Sequence, residues 1–243
     1  MLVATRYQSI KMPTIVFVSP KGGAGKTTAA LILACELARG APVTVIDADP
    51  NHPIKIWSAA AEAPNLTVIA DADEENILER IEEASAQTPF VVVDLEGTAA
   101  KIVLLAVSQA DLVIVPTQGS QLDAEQASRA LRVIKQQEKM SGRPVPYTVL
   151  LTRTSVAIRT RNMAHIQRAL IEAGVPVLKS ELHEREAFRA VFSFRQPLER
   201  LNPAEVGNLE KAIANAEAFA SEVVELLRAG QSAATKVQTT KVA

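Results

Sequence analysis

Lys26 and Thr27 close a glycine-rich octet, Lys21-Gly-Gly-Ala-Gly-Lys-Thr-Thr28, and those residue types at that spacing can hold a phosphate. The ammonium offers a point charge to β- and γ-phosphates, and the hydroxyl next to it offers an oxygen to a magnesium ion. Gly22, Gly23 and Gly25 are expected to curl the backbone with positive φ, so that its N–H groups close around phosphate oxygens. The candidate nucleotide ligands are therefore Lys21, Gly22, Gly23, Ala24, Gly25, Lys26, Thr27 and Thr28. Two acidic motifs follow: Val45-Ile-Asp-Ala-Asp-Pro50, and Asp94 at the end of Phe90-Val-Val-Val-Asp94. Carboxylates one residue apart at a strand end fall on the same side of the chain, and so can serve one metal-phosphate centre.

The flanking elements have to put these groups together. An apolar run, Thr14–Ser19, precedes the octet as a buried strand, and Ala29–Arg39 follows it as a helix, which is the context a phosphate loop requires. Further strands are expected at Pro42–Asp47, Leu66–Ala70, Phe90–Asp94, Leu112–Pro116, Tyr147–Thr152 and Val175–Leu178. Helices are expected at Thr27–Arg39, Ile54–Glu62, Glu74–Gln87, Ala99–Gln109, Gln121–Met140, Arg161–Ala173 and Ala204–Arg228. Near-continuous valine and isoleucine, as in Val91–Val93 and Leu112–Val115, means strands buried on both faces. The alternation predicts an α/β fold: a doubly wound, mostly parallel sheet flanked by helices, with ligands at the carboxyl ends of the strands. Residues 1–12 read as an extension, 13–229 as a single domain, and 230–243 as a polar, aperiodic and disordered tail. No apolar run reaches the roughly 18 residues of a membrane span. A single cysteine, Cys35, excludes a disulfide framework within the chain, which fits a cytoplasmic protein.

The octet departs from G-x-x-x-x-G-K-[ST], because Pro20 stands five residues before Gly25 and a second lysine, Lys21, opens the loop. With Asp47-Ala-Asp-Pro50 and Asp94 it resembles the ParA/MinD family of dimerising ATPases with a deviant Walker A loop. The resemblance runs from residue 13 to about 228 and is well specified only in the three nucleotide motifs. It implies ATP and Mg2+ as cofactors and slow, partner-stimulated hydrolysis to ADP and phosphate. It implies catalytic roles for Lys21, reaching across a nucleotide sandwich to the opposite subunit, for Lys26, and for Asp49, which would position or activate the attacking water. Metal contacts would come from Thr27 and, through water, from Asp47 and Asp94. The family usually has two prolines after the last of these, where Leu95-Glu96 stands here. Arg153 is placed either to stack on the base or simply to cap its strand, and Pro197 would form the other wall of the base pocket.

Within that family one branch rides on nonspecific DNA and another on membranes. Between Leu150 and Arg200 nine basic residues face five acids, a net +4 on a chain whose formal charge is −1. That is the footprint of a salt-sensitive DNA surface, with Arg159, Arg161, Arg189 and Arg195 as phosphate contacts. The last helix has an acidic polar side (Glu205, Glu210, Glu217, Glu222, Glu225), which disfavours a membrane role. The expected partners are a second copy of the chain with ATP, nonspecific DNA, and a centromere-binding or cargo-bound activator, on the nucleoid. The resulting function is ATP-dependent partition or positioning of a plasmid, chromosome region or protein cluster. The alternatives are an ATP-gated recruitment scaffold for DNA transfer or for a protein or membrane complex, and a small-molecule ligase on the same fold.

Overall fold

Strands that are apolar on both faces must be covered on both, and the chain does this with a seven-stranded parallel sheet between two layers of helices. The computed structural model describes residues 12–19, 22–95, 100–119, 121–155 and 161–241. The strands are β1 (Thr14–Phe17), β2 (Val43–Ala48), β3 (Leu66–Ile69), β4 (Phe90–Leu95), β5 (Leu112–Thr117), β6 (Tyr147–Thr154) and β7 (Leu182–His183), in the order β3-β2-β4-β1-β5-β6-β7. The carboxyl ends of β1, β2, β4, β5 and β6 therefore meet along one rim. Register places Asp47 of β2 directly beside Asp94 of β4, which in turn lies beside Phe17 of β1.

The helices are α1 (Lys26–Ala38), α2 (Pro53–Ser58), α3 (Ile77–Gln87), α4 (Ala100–Gln109), α5 (Gln121–Ser141), α6 (Arg161–Glu172), α7 (Glu186–Phe194) and α8 (Leu209–Lys241). On one face, Ile15, Phe17, Val45, Val92 and Ile114 pack with α1, α2, α7 and α8. On the other, Val16, Ile46, Val93, Val115 and Leu151 pack with α3, α4, α5 and α6. α1 is buried almost all round, from Ala29 to Leu37, because α8 closes over it with Ala212, Ala216, Phe219 and Val223. Its far end is tied down by charge: Arg39 bonds Glu36 at 2.8 Å and Glu217 of α8 at 2.7 Å, and pairs with Glu199. Burial pushes the Glu36 carboxyl up to about 7, with Glu199 adding to the shift and Arg39 opposing it.

Several expectations need correction. Val175–Leu178 is not a strand; Val177 contributes one bridge to Val149, and the sheet edge is Leu182–His183. Helix α7 was not foreseen, although Ala187, Phe188 and Val191 have helical spacing. α8 starts at Leu209, behind Asn208 with φ 55°, rather than at Ala204. It then runs on to Lys241, through the stretch expected to be disordered. Once a helix is nucleated on a packed face, extension by alanine, glutamine and lysine costs little. α8 packs on the domain, and Glu217 and Glu222 of its acidic side are engaged there, Glu222 by Lys179 N and Ser180 N at 2.7 Å each. Among the described residues no helix is long and apolar enough to cross a membrane.

Candidate nucleotide-binding site

A phosphate cradle needs its N–H groups turned in, so its carbonyls must turn out and find donors elsewhere. Three consecutive carbonyls of the octet do so. The Gly23 oxygen accepts from Gln118 Nε2 at 2.6 Å, the Ala24 oxygen from Thr152 Oγ1 at 2.7 Å, and the Gly25 oxygen from Ala29 N at 2.9 Å in the first turn of α1. Gly23 and Gly25 have φ of 80° and 84°, in the left-handed region where a side chain is strained. Space is not the reason at Gly25, since an added Cβ would stand 3.5 Å from Thr152. The α1 N-terminus has no side-chain cap and no acid in its first turn, so its donors stay free for an anion.

Gln118 and Thr152 were missed as site residues, because their positions just after β5 and near the end of β6 carry no motif. Thr152 is 2% exposed and the carbonyl it serves belongs to a residue 3% exposed, so removing the hydroxyl strands a buried acceptor. Thr152→Val is therefore expected to weaken ATP binding by about tenfold, in line with roughly 1–3 kcal/mol for such an orphan. Thr152→Ser should restore most of it, and Gln118→Ala, at an exposed position, should cost only a few-fold. Titration with a fluorescent ATP analogue checks the series. Equal affinity of the valine and serine variants would remove the hydroxyl from the argument.

Around the cradle the acids occupy three environments. Asp94 is fully buried and its Oδ1 lies 2.5 Å from Lys26 Nζ, while its buried Oδ2 has no hydrogen-bond partner among the described residues. Burial pushes the Asp94 carboxyl above its ordinary range against the pull of Lys26. Asp47 is also fully buried; its Oδ2 accepts from Ile54 N at 2.9 Å and Lys55 N at 3.0 Å, capping α2, and its Oδ1 faces Asp49 N at 3.4 Å. Burial raises its pKa despite those backbone donors. Asp49 is partly exposed, with Oδ1 held by Asn51 N at 2.9 Å and Asn51 Nδ2 at 3.1 Å in a tight turn, and its other oxygen accepts nothing among the described residues. Thr27 and Thr28 are half-buried in the first turn of α1. Lys21 lies outside the described residues.

A pocket of about 240 Å³ opens directly beside the cradle. Gly25, Thr28, Thr152 and Arg153 form one wall, and Phe188 and Phe192 of α7 line it too, with His183, Glu184, Arg185 and Arg189. Arg153 reaches it because a bulge at the end of β6 puts this residue at φ 51°. Arg185 Nε is a buried donor with no hydrogen-bond partner among the described residues. Burial lowers the His183 pKa, and its Nδ1 lies 2.7 Å from Thr154 Oγ1. Pro197 is not in this pocket. It lines a separate cleft with Cys35, Arg39, Glu62 and Arg200 at the far end of α1, because α7 supplies the pocket wall instead. Among the DNA candidates, Arg159 and the side chain of Arg161 lie outside the described residues. Arg189 is bonded to Glu184 at the pocket rim, and Arg195 is the left-handed C-cap of α7.

Strand order, cradle and rim acids together define a P-loop ATPase fold of the ParA/MinD type. A family model described as VirC1 protein matches residues 12–228, and the chain belongs to that family. It is 41% identical over 218 residues to Protein ParA of Rhizobium radiobacter, spanning 89% of this chain and 98% of that protein. Protein virC1 of Rhizobium rhizogenes is 32% identical over 189 residues, spanning 74% of this chain and 80% of the relative. Among solved structures, a Cyanothece McdA(D38A)–ATP complex superimposes with a TM-score of 0.71 at 18% identity, over 88% of this chain and 97% of the other, a likeness of fold.

Proposed function

We propose that the protein is an ATP-dependent dimerising ATPase that binds nonspecific DNA in its ATP state and so partitions or positions a cargo. The observation that carries this is the cradle, with three carbonyls held outward, an uncapped helix N-terminus, and Lys26 parked on Asp94. The residues fit a magnesium nucleotide: the orphaned Asp94 Oδ2 is an acceptor waiting for the water of a metal shell, and Thr27 is placed to offer its hydroxyl. Mg2+, when bound, supplies the charge neutralisation that phosphoryl transfer needs. Lys26 exchanges Asp94 for phosphate oxygens, which frees Asp94 Oδ1 as well. Asp47 serves mainly as a strut, since one of its oxygens is committed to α2, and contributes to the shell through Oδ1. Asp49, pinned by Asn51, directs its free oxygen at the attacking water. The base sits between Arg153 and α7, where Arg185 Nε offers a donor. Lys21 completes the site across the dimer, as the family resemblance implies.

The match to a ParA protein over nearly its full length supports the partition reading, with a centromere-binding or cargo-bound activator that speeds hydrolysis on the nucleoid. The test is fluorescence anisotropy of an arbitrary-sequence duplex with ATP, with ADP and without nucleotide. Binding should appear with ATP only and fade steeply with salt. Equal binding in all three states would discard the nucleotide gate. Hydrolysis that no DNA or partner accelerates would leave an ATP-gated recruitment scaffold.

A further inference from the structure

The solvent face of α5 carries Arg129, Arg132, Lys135 and Lys139, all exposed, at steps of three, three and four residues. At 3.6 residues per turn they span an arc of about 120° and some 15 Å of helix. The opposite side of the helix, Ala127, Ala130, Leu131 and Ile134, is buried against the sheet, so the cations are held on a fixed ridge. None of the four makes an ion pair among the described residues. Elsewhere the exposed Lys101, Arg143, Arg189 and Arg200 are paired with carboxylates, while Lys55, Arg153, Arg168, Lys179, Arg195 and Lys211, which make no ion pair among the described residues, are scattered over different elements rather than aligned on one helix face. Between Gln126 and Arg143 the chain has one acid, Glu138, and it is turned off the ridge to accept from Val145 N at 2.9 Å. Glu125 stands one turn before Arg129, at the end of the row. A row of four uncompensated cations on a chain of net charge −1 needs a reason.

We infer that this ridge is the surface that takes the phosphate backbone of a DNA duplex, an inference that rests on the DNA-binding reading above and gives it a place. Side chains at one-turn intervals along a straight helix suit a regular array of phosphates, and they position a duplex without reading its sequence. Ser128 and Gln136 beside them are polar, and Met140 at the end of the row is the one large apolar side chain exposed there among the described residues; a lipid-binding face would carry several. Charge counting along the chain had pointed to 150–200, where the structure commits Arg189 to Glu184 and to the pocket.

The experiment compares the full chain, Arg132→Glu/Lys135→Glu, and Arg195→Glu. Each is held with a slowly hydrolysed ATP analogue and titrated with an arbitrary duplex and, separately, with phosphatidylserine-containing vesicles. The ridge variant should lose at least about tenfold in duplex affinity and about two units of salt slope. It should still self-associate with nucleotide, and Arg195→Glu should stay within a few-fold of wild type. A ridge variant that binds the duplex like wild type would overturn the ridge and leave the DNA reading standing. A wild type that binds no duplex in any nucleotide state would overturn both. Binding to the vesicles alone, lost in the ridge variant, would replace DNA with a lipid surface.

Discussion

Lys26→Ala is expected to lower ATP affinity by about 100-fold or more and to abolish ATP-driven self-association. The ammonium is the one charged group of the cradle that the described residues place among the phosphates' donors, and charge-assisted hydrogen bonds of this kind carry roughly 1.5–3 kcal/mol each. The variant has a second effect, because Lys26 is also the counter-ion of Asp94. Without it a fully buried carboxylate has lost its partner, and its pKa, already raised by burial, rises further. The sign follows: a carboxyl whose folded pKa exceeds the unfolded one favours the folded state at low pH. That advantage is lost as pH rises through the folded value. Lys26→Ala should therefore lose thermal stability as pH climbs above the ordinary carboxylate range. Lys26→Ala/Asp94→Asn should recover stability and still fail to bind ATP. Thermal melts across pH, with nucleotide titrations and light scattering, read both effects. Normal ATP-driven dimers of the single variant would refute the phosphate-loop assignment.

Asp49→Ala is expected to leave ATP affinity within a few-fold and to slow hydrolysis by about 100-fold or more, the range for a positioned acid or base. Asp49 also shapes its turn through Asn51, so alanine alone conflates chemistry with geometry. Asp49→Asn separates them: the amide oxygen can still accept from Asn51, but the carboxylate is gone. Both variants slow in a phosphate-release assay would assign the effect to the carboxylate. A fast asparagine variant would reduce Asp49 to a turn residue, and a fast alanine variant would remove it from the mechanism.

The parts of the site that were legible in sequence are those whose chemistry is local. Gly23, Gly25 and Lys26 announce the loop because φ and charge are properties of single residues, and Asp47 and Asp94 stand out because each ends a run of valine and isoleucine. The supports were not legible. Gln118 and Thr152 matter only because strand order lays β5 and β6 against the octet, and nothing in their own neighbourhoods encodes that. Pro197 falls outside this pocket for a related reason: helix α7, not foreseen, takes the pocket wall and carries the chain on to the other end of α1. The basic ridge was countable, since five cations face one acid between Gln126 and Arg143; what a count along the chain does not show is that four of them share one solvent face of a helix whose other side is buried.

The octet's three side-chain supports come from ever later in the chain: Asp94 is 68 residues beyond Lys26, Gln118 is 95 beyond Gly23, and Thr152 is 128 beyond Ala24. During synthesis the motif emerges first and the last of its braces only with β6. A nascent or truncated chain that stops short of Thr152 has the glycines and the lysine but an unbraced cradle, so nucleotide would hold it less tightly than the finished fold. ATP would thus bind tightest once the sheet has closed from β4 through β6, and tight occupancy of the site would double as a report that synthesis had passed that point.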